Sequence, residues 1–135
     1  MIANSSAASR PYELTVDADP ASVRRAREFF SDVAERLELS SGQVELGVLA
    51  VSELVTNAIV HAPGPISVRV QRGPTGVRIE IGDCSSRAPR MGVPTPDRSG
   101  SRGLPIVAVV ADEWGWDGDR DDAGKRVWCT IGSPD

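Results

Sequence analysis

The apolar residues of this chain change period at Pro63-Gly64-Pro65, and that switch constrains the fold more than any other feature. Before it, from Asp19 to Ala62, they recur every three or four residues, as in amphipathic helices. After it, from Ile66 to Ile81, they alternate with polar residues, as in strands buried on one side only. Helices that precede a hairpin in one short chain must bury their apolar stripes against it. The expected fold is therefore an α+β sandwich, with helices packed on one face of a mixed or antiparallel sheet.

The elements can be placed more closely. Pro11 to Val16 reads as a first strand, with Tyr12, Leu14 and Val16 on one side. Asp19 caps a helix with Pro20 at its first position. This helix runs to about Leu39 with Val23, Ala26, Phe30, Val33 and Leu37 as its stripe. Ser40 or Ser41 caps a second helix, Glu45 lies where it could support that N-terminus, and Val44, Val48, Val51, Val55 and Ile59 form the expected buried stripe. The hairpin turns at Gly73-Pro74-Thr75-Gly76. From Ser85 to Arg102 no periodicity survives, and a loop of that length inside a small domain is usually functional. A third helix resumes near Leu104. Glu113 to Trp116 and Arg126 to Ile131 then read as two last strands around an acidic turn, Asp117 to Gly124.

A length of 135 residues suits one domain, expected over residues 11–132 after a disordered N-terminus at 1–10. A net charge of −4 argues against a general nucleic-acid binder. The first residues lack a charged start and apolar stretch, and no window approaches a membrane span, so a cytoplasmic protein is expected. Cys84 and Cys129 are expected to be free thiols. With His61 as the lone histidine, a zinc site of His and Cys ligands is not expected.

The second helix carries the chemistry. Glu53 and Asn57 are four residues apart, so both side chains project from one helix face about a turn apart. A carboxylate beside an amide oxygen on a rigid helix is suited to holding magnesium and activating a hydroxyl. The pair alone also fits an exposed polar patch. The whole run Glu53-Leu54-Val55-Thr56-Asn57-Ala58-Ile59-Val60-His61-Ala62, however, resembles the N box, E-x-x-x-N-A, of the GHKL (histidine-kinase-like) ATPase superfamily. Within that superfamily the chain is most similar to the actinobacterial anti-sigma-factor serine/threonine kinases. The resemblance implies a Bergerat-type ATP-binding sandwich, with Asn57 ligating Mg2+ and bridging to the ATP phosphates, and Glu53 as general base. His61 is read as structural.

Asp83 follows from strand parity. Residues 77, 79 and 81 face the core, so 83 continues the inward face, where a carboxylate needs a partner. The other reading is that the strand ends at Gly82 and Asp83 starts the loop. The resemblance implies that an aspartate at this point, the G1 box, accepts a hydrogen bond from the adenine amino group and so selects against guanine. The wider family reads D-x-G-x-G there, whereas this chain has Asp83-Cys84-Ser85-Ser86-Arg87, without either glycine.

The third motif is Gly100-Ser101-Arg102-Gly103-Leu104, opening the third helix. Helix N-termini present free amides and a positive dipole end, and glycine permits close backbone approach to phosphate. The related family pattern is S-G-R-G-L, so Gly100 and Ser101 are swapped while Gly103 and Leu104 match. The preceding loop holds Arg87, Arg90, Arg98 and Arg102 against Asp97. It reads either as a basic lid over a triphosphate or as a solvated loop. Gly124-Lys125 is not a P-loop, because the spacing is one residue too long and Arg126 replaces the required Ser or Thr. That run resembles the last strand of the actinobacterial family, and Trp114, Trp116 and Trp128 are expected to pack rather than to bind.

The expected function is an ATP-binding anti-sigma-factor serine/threonine kinase that sequesters a sigma factor and phosphorylates a STAS-type antagonist. Close relatives form homodimers, although no dimer seam is legible here. The alternative is a protein-binding module with weak or inactive nucleotide chemistry, favoured by the missing G1 glycines and opposed by the intact Glu53 and Asn57. A histidine-kinase catalytic domain would be expected to follow a phosphoacceptor helix, which is not found ahead of Tyr12.

Overall fold

The computed structural model describes residues 10–61, 64–83, 107, 110–118 and 124–132. Its elements run β1 (Tyr12–Val16), α1 (Ser22–Arg36), α2 (Ser41–His61), β2 (Ile66–Arg72), β3 (Gly76–Asp83), β4 (Glu113–Gly118) and β5 (Lys125–Gly132). The strands form one sheet in the order β1-β2-β3-β5-β4, and every neighbouring pair is antiparallel. Both helices cover the same face, α1 mainly over β1 and α2 over β3 and β5. The expected α+β sandwich is thus observed, with a purely antiparallel sheet.

Alternation decides which side of the sheet meets the helices. Val16, Ile66, Val68, Val70, Val77, Ile79, Ile81, Val127, Cys129 and Ile131 point inward and are buried. The outer face carries charge instead. Arg69 bridges Glu13 at 2.6 Å and Glu80 at 3.6 Å, Arg78 pairs with Glu80 at 2.8 Å, and the Arg78 guanidinium lies 4.5 Å from the Trp128 ring centroid. Such solvent-side pairs contribute only modestly to stability.

Local sequence explains both ends of α1. The helix begins later and ends earlier than expected, at Ser22 and Arg36, with Ala21 rather than Asp19 at the N-cap position and no side-chain cap. Asp19 instead closes the turn before it, its Oδ1 accepting the Ala21 N–H at 2.9 Å. At the C-terminus Glu38 takes a left-handed conformation with φ of 55°. Its N–H donates to the Glu35 carbonyl and that of Leu39 to the Ala34 carbonyl, a Schellman closure with glutamate where glycine is usual. Arg72 at the end of β2 donates to the Leu37 carbonyl, tying sheet to helix.

α2 departs from its expected stripe. The buried residues are Gln43, Gly47, Ala50, Val51, Leu54, Val55, Asn57 and Ala58, while Val44, Val48 and Ile59 are only partly buried. The helix is turned because it packs on two neighbours, the sheet and α1. It packs tightly against α1 at Gly47, where a Cβ would lie 2.1 Å from Phe30 Cζ. Phe30 is fully buried and fills the space that a side chain at 47 would need.

The same helix corrects a second expectation. By length and composition α2 could cross a membrane, with a mean hydropathy of 1.4 over an 18-residue window. Its apolar residues serve the interior of the sandwich, where Ala50, Val51 and Val55 are fully buried. Val107 and Val110 are helical, Val107 is fully buried, and the Ala111 N–H donates to the Val107 carbonyl, as expected for the end of the third helix. The expected N-terminal disorder, the Ser85–Arg102 loop and the start of the third helix lie outside the described residues, as does most of the acidic turn.

Candidate functional site

α2 is fixed to the sheet before its functional residues begin. Ser40 Oγ accepts the Gln43 N–H at 3.1 Å, and Gln43 Oε1 accepts the Ser40 N–H at 3.0 Å. This reciprocal capping box selects Ser40 over Ser41, and Gln43 rather than Glu45 as the supporting residue. Gln43 Nε2 also donates to the Ile131 carbonyl at 3.1 Å, which pins the start of α2 to β5.

Chain connectivity then sets where the other end of α2 lies. Ile131 pairs with Val77 at the start of β3, so α2 begins over that end of the strand. α2 ends at His61 and β2 begins at Ile66, where Ser67 pairs with Gly82. The last turns of α2 and the end of β3 therefore occupy the same end of the sandwich. Asn57 on the helix and Asp83 on the strand both belong to the layer between helices and sheet.

Glu53 is half-buried and Asn57 is 8% exposed, one helical turn further on. Leu54, Val55 and Ala58 around them are buried apolar residues. Among the described residues no hydrogen bond is given to or by the Asn57 side chain, and the residue as a whole keeps a small exposure. A nearly buried amide without a protein partner among the described residues is suited to a ligand. Its oxygen and the Glu53 carboxylate are hard donors of the kind magnesium takes, with phosphate and water completing such a shell. No group of three or more His, Cys, Asp or Glu able to hold a metal occurs among the described residues.

Asp83 settles the question left by parity. β3 continues to Asp83, and burial alternates without a break through Val77, Ile79, Ile81 and Asp83. A partner of the kind an inward carboxylate requires is Lys125, directly opposite in the β3–β5 register. Lys125 Nζ lies 2.8 Å from Asp83 Oδ2, and the two side chains are only 3% and 2% exposed. Lys125 is the functional candidate that sequence reasoning missed. Its one signal was being the only lysine of the chain, and which residue it faces depends on strand register.

Gly100, Ser101, Arg102, Gly103 and Leu104 lie outside the described residues, as do Arg87, Arg90, Asp97, Arg98 and Cys84. Cys129 is a free thiol, as expected, and burial pushes it up from 9.0 to about 12 against a smaller opposing effect of Arg78. It sits within the core and has no part in the site. Trp114 packs against the core and Trp128 under Arg78, in keeping with packing roles, while Trp116 is partly exposed on β4.

Comparison with known proteins agrees with this architecture. A family model described as "Histidine kinase-like ATPase domain" matches residues 16–131. Among solved structures, the RsbU and RsbW domains of Rv1364c from Mycobacterium tuberculosis superpose with a TM-score of 0.67 at 18% sequence identity. That match covers 91% of this chain and 32% of the other, so this chain corresponds to about a third of it. At this identity the likeness is one of fold. No curated protein matches the chain.

Proposed function

Because the chain belongs to the histidine kinase-like ATPase domain family, we propose that it is a cytoplasmic Mg-ATP-dependent serine/threonine kinase of the anti-sigma-factor type. In this reading it holds a sigma factor and phosphorylates a STAS-type antagonist protein. The observation that carries the proposal is the disposition of α2, with Glu53 and Asn57 one turn apart on a helix pinned to the sheet and directed toward the end of β3 that bears Asp83.

The roles are those that the family resemblance implies for these positions, and the donor chemistry of the residues suits them. Asn57 offers its amide oxygen to the magnesium that accompanies the phosphates. Asp83 offers a carboxylate oxygen to the adenine amino group, and Gly100 to Leu104 offer backbone amides to phosphate. Bound Mg-ATP supplies the phosphoryl group. Glu53 would accept the proton of the attacking Ser or Thr hydroxyl as that oxygen bonds to the γ-phosphorus, while the bond from that phosphorus to the β–γ bridging oxygen breaks and ADP leaves. Phosphoryl transfer asks a protein mainly for positioning and charge neutralisation, so these few groups suffice.

Calorimetry of ATP binding, with and without magnesium, tests the reading. Magnesium-dependent binding that disappears in Asn57→Ala supports it, and absence of binding in the wild-type protein overturns it. One specific observation favours a second reading, a protein-binding module without transfer activity: Asp83-Cys84-Ser85-Ser86-Arg87 lacks both G1 glycines. Under that reading a sigma factor or antagonist binds equally well with and without nucleotide.

A further inference from the structure

The inward faces of β3 and β5 are apolar at every described position but two. Val77, Ile79 and Ile81 on one strand meet Ile131, Cys129 and Val127 on the other, and the series ends in Asp83 opposite Lys125. Replacing a buried ion pair by apolar residues is often neutral or stabilising. Fold stability alone therefore gives little reason for a charged pair in this layer. The pair stands at the end of the sandwich shared with Asn57, where the proposed function puts the adenine base.

We propose that Lys125 is a positioning residue for base recognition, holding the Asp83 carboxylate in one orientation as a pure acceptor. An ionised carboxylate only accepts hydrogen bonds, whereas a protonated one also donates. Adenine offers an amino donor at the position where guanine offers a carbonyl, so acceptor-only character is what distinguishes the two. Lys125 Nζ, 2.8 Å from Asp83 Oδ2, compensates the buried charge and fixes that oxygen. Without the ammonium that oxygen is no longer held in one place, and the acceptor that meets the adenine amino group is no longer set by the fold. The single lysine of the chain thus sets which purine the site admits.

This inference rests on the nucleotide-binding reading above, and one experiment separates the two. ATP and GTP affinities are measured by calorimetry in magnesium for wild type, Lys125→Met, Lys125→Arg and Asp83→Asn/Lys125→Met, with folding checked by circular dichroism. The expected result is wild-type preference for ATP, a loss of that preference by about tenfold or more in Lys125→Met, equivalent to about 1.4 kcal/mol, and partial recovery in Lys125→Arg. The double variant removes both charges and serves in its place if Lys125→Met fails to fold, and it too is expected to lose the preference. A purely structural lysine would change thermal stability while leaving the ATP-to-GTP ratio intact. That outcome overturns the proposal and leaves the ATP-binding reading standing. A wild-type protein that binds no ATP overturns both.

Discussion

At the scale of single residues the decisive facts are burial and partner. Asn57 is nearly buried yet makes no side-chain hydrogen bond among the described residues, so its truncation should cost the fold little. Asn57→Ala is expected to abolish magnesium-dependent ATP binding while its circular dichroism spectrum and unfolding midpoint stay near wild type; retained binding would remove the metal role. Glu53→Ala is expected to bind ATP normally and to lose phosphoryl transfer to the antagonist, measured by phosphate incorporation. A fully active variant would refute the base assignment. Cys129 gives a test independent of nucleotide. Its thiol is held neutral by burial, with its titration raised from 9.0 to about 12. The folded state keeps a proton that the unfolded chain releases, so this contribution to stability is complete below pH 9 and lost as pH rises toward 12. Urea unfolding of wild type should therefore weaken more over that window than that of Cys129→Val. Alkylation mapped to Cys129 should proceed only as fast as the protein opens.

At the scale of elements, α2 joins stability to function. Its N-terminus is fixed by the Ser40–Gln43 capping box and by the bond from Gln43 to β5, and its middle by contact of Gly47 with Phe30. Gly47→Ala would ordinarily gain about 1 kcal/mol of helix propensity. Here the new methyl group must displace a fully buried ring, at a cost of about 1–3 kcal/mol for overpacking. Net destabilisation, read from the urea midpoint, is the expected outcome, and a more stable variant would show that α1 and α2 can separate freely. Ser40→Ala should cost about 1 kcal/mol through the lost cap. The expected stripe of α2 missed this arrangement because Val44, Val48 and Ile59 satisfy helical spacing as well as Gly47, Ala50 and Leu54 do. A helix packed on two sides has no single stripe, and only the position of Phe30 selects the face that is buried most deeply.

At the scale of the whole molecule, ligand binding and folding are linked. If Mg-ATP binds the folded state alone, a concentration a hundred times Kd should add about 2.7 kcal/mol of stability. This should appear as a higher thermal midpoint for wild type and not for Asn57→Ala. What the sequence determined by itself was local or periodic: the order of elements, the hairpin, the inward parity that carries Asp83, and the Glu53–Asn57 pair on one helix face. Each depends on residues near one another in the chain, where a period of 3.6 or 2 suffices. What only the tertiary structure decided was long-range: the β1-β2-β3-β5-β4 order, the rotation of α2, and the partnership of Asp83 with Lys125, 42 positions later. Strand register is set by many weak contacts summed over a whole sheet, and a shift of one residue would turn Lys125 to the other face. No local pattern encodes that sum, so the residue opposite Asp83 became visible only when the sheet was assembled.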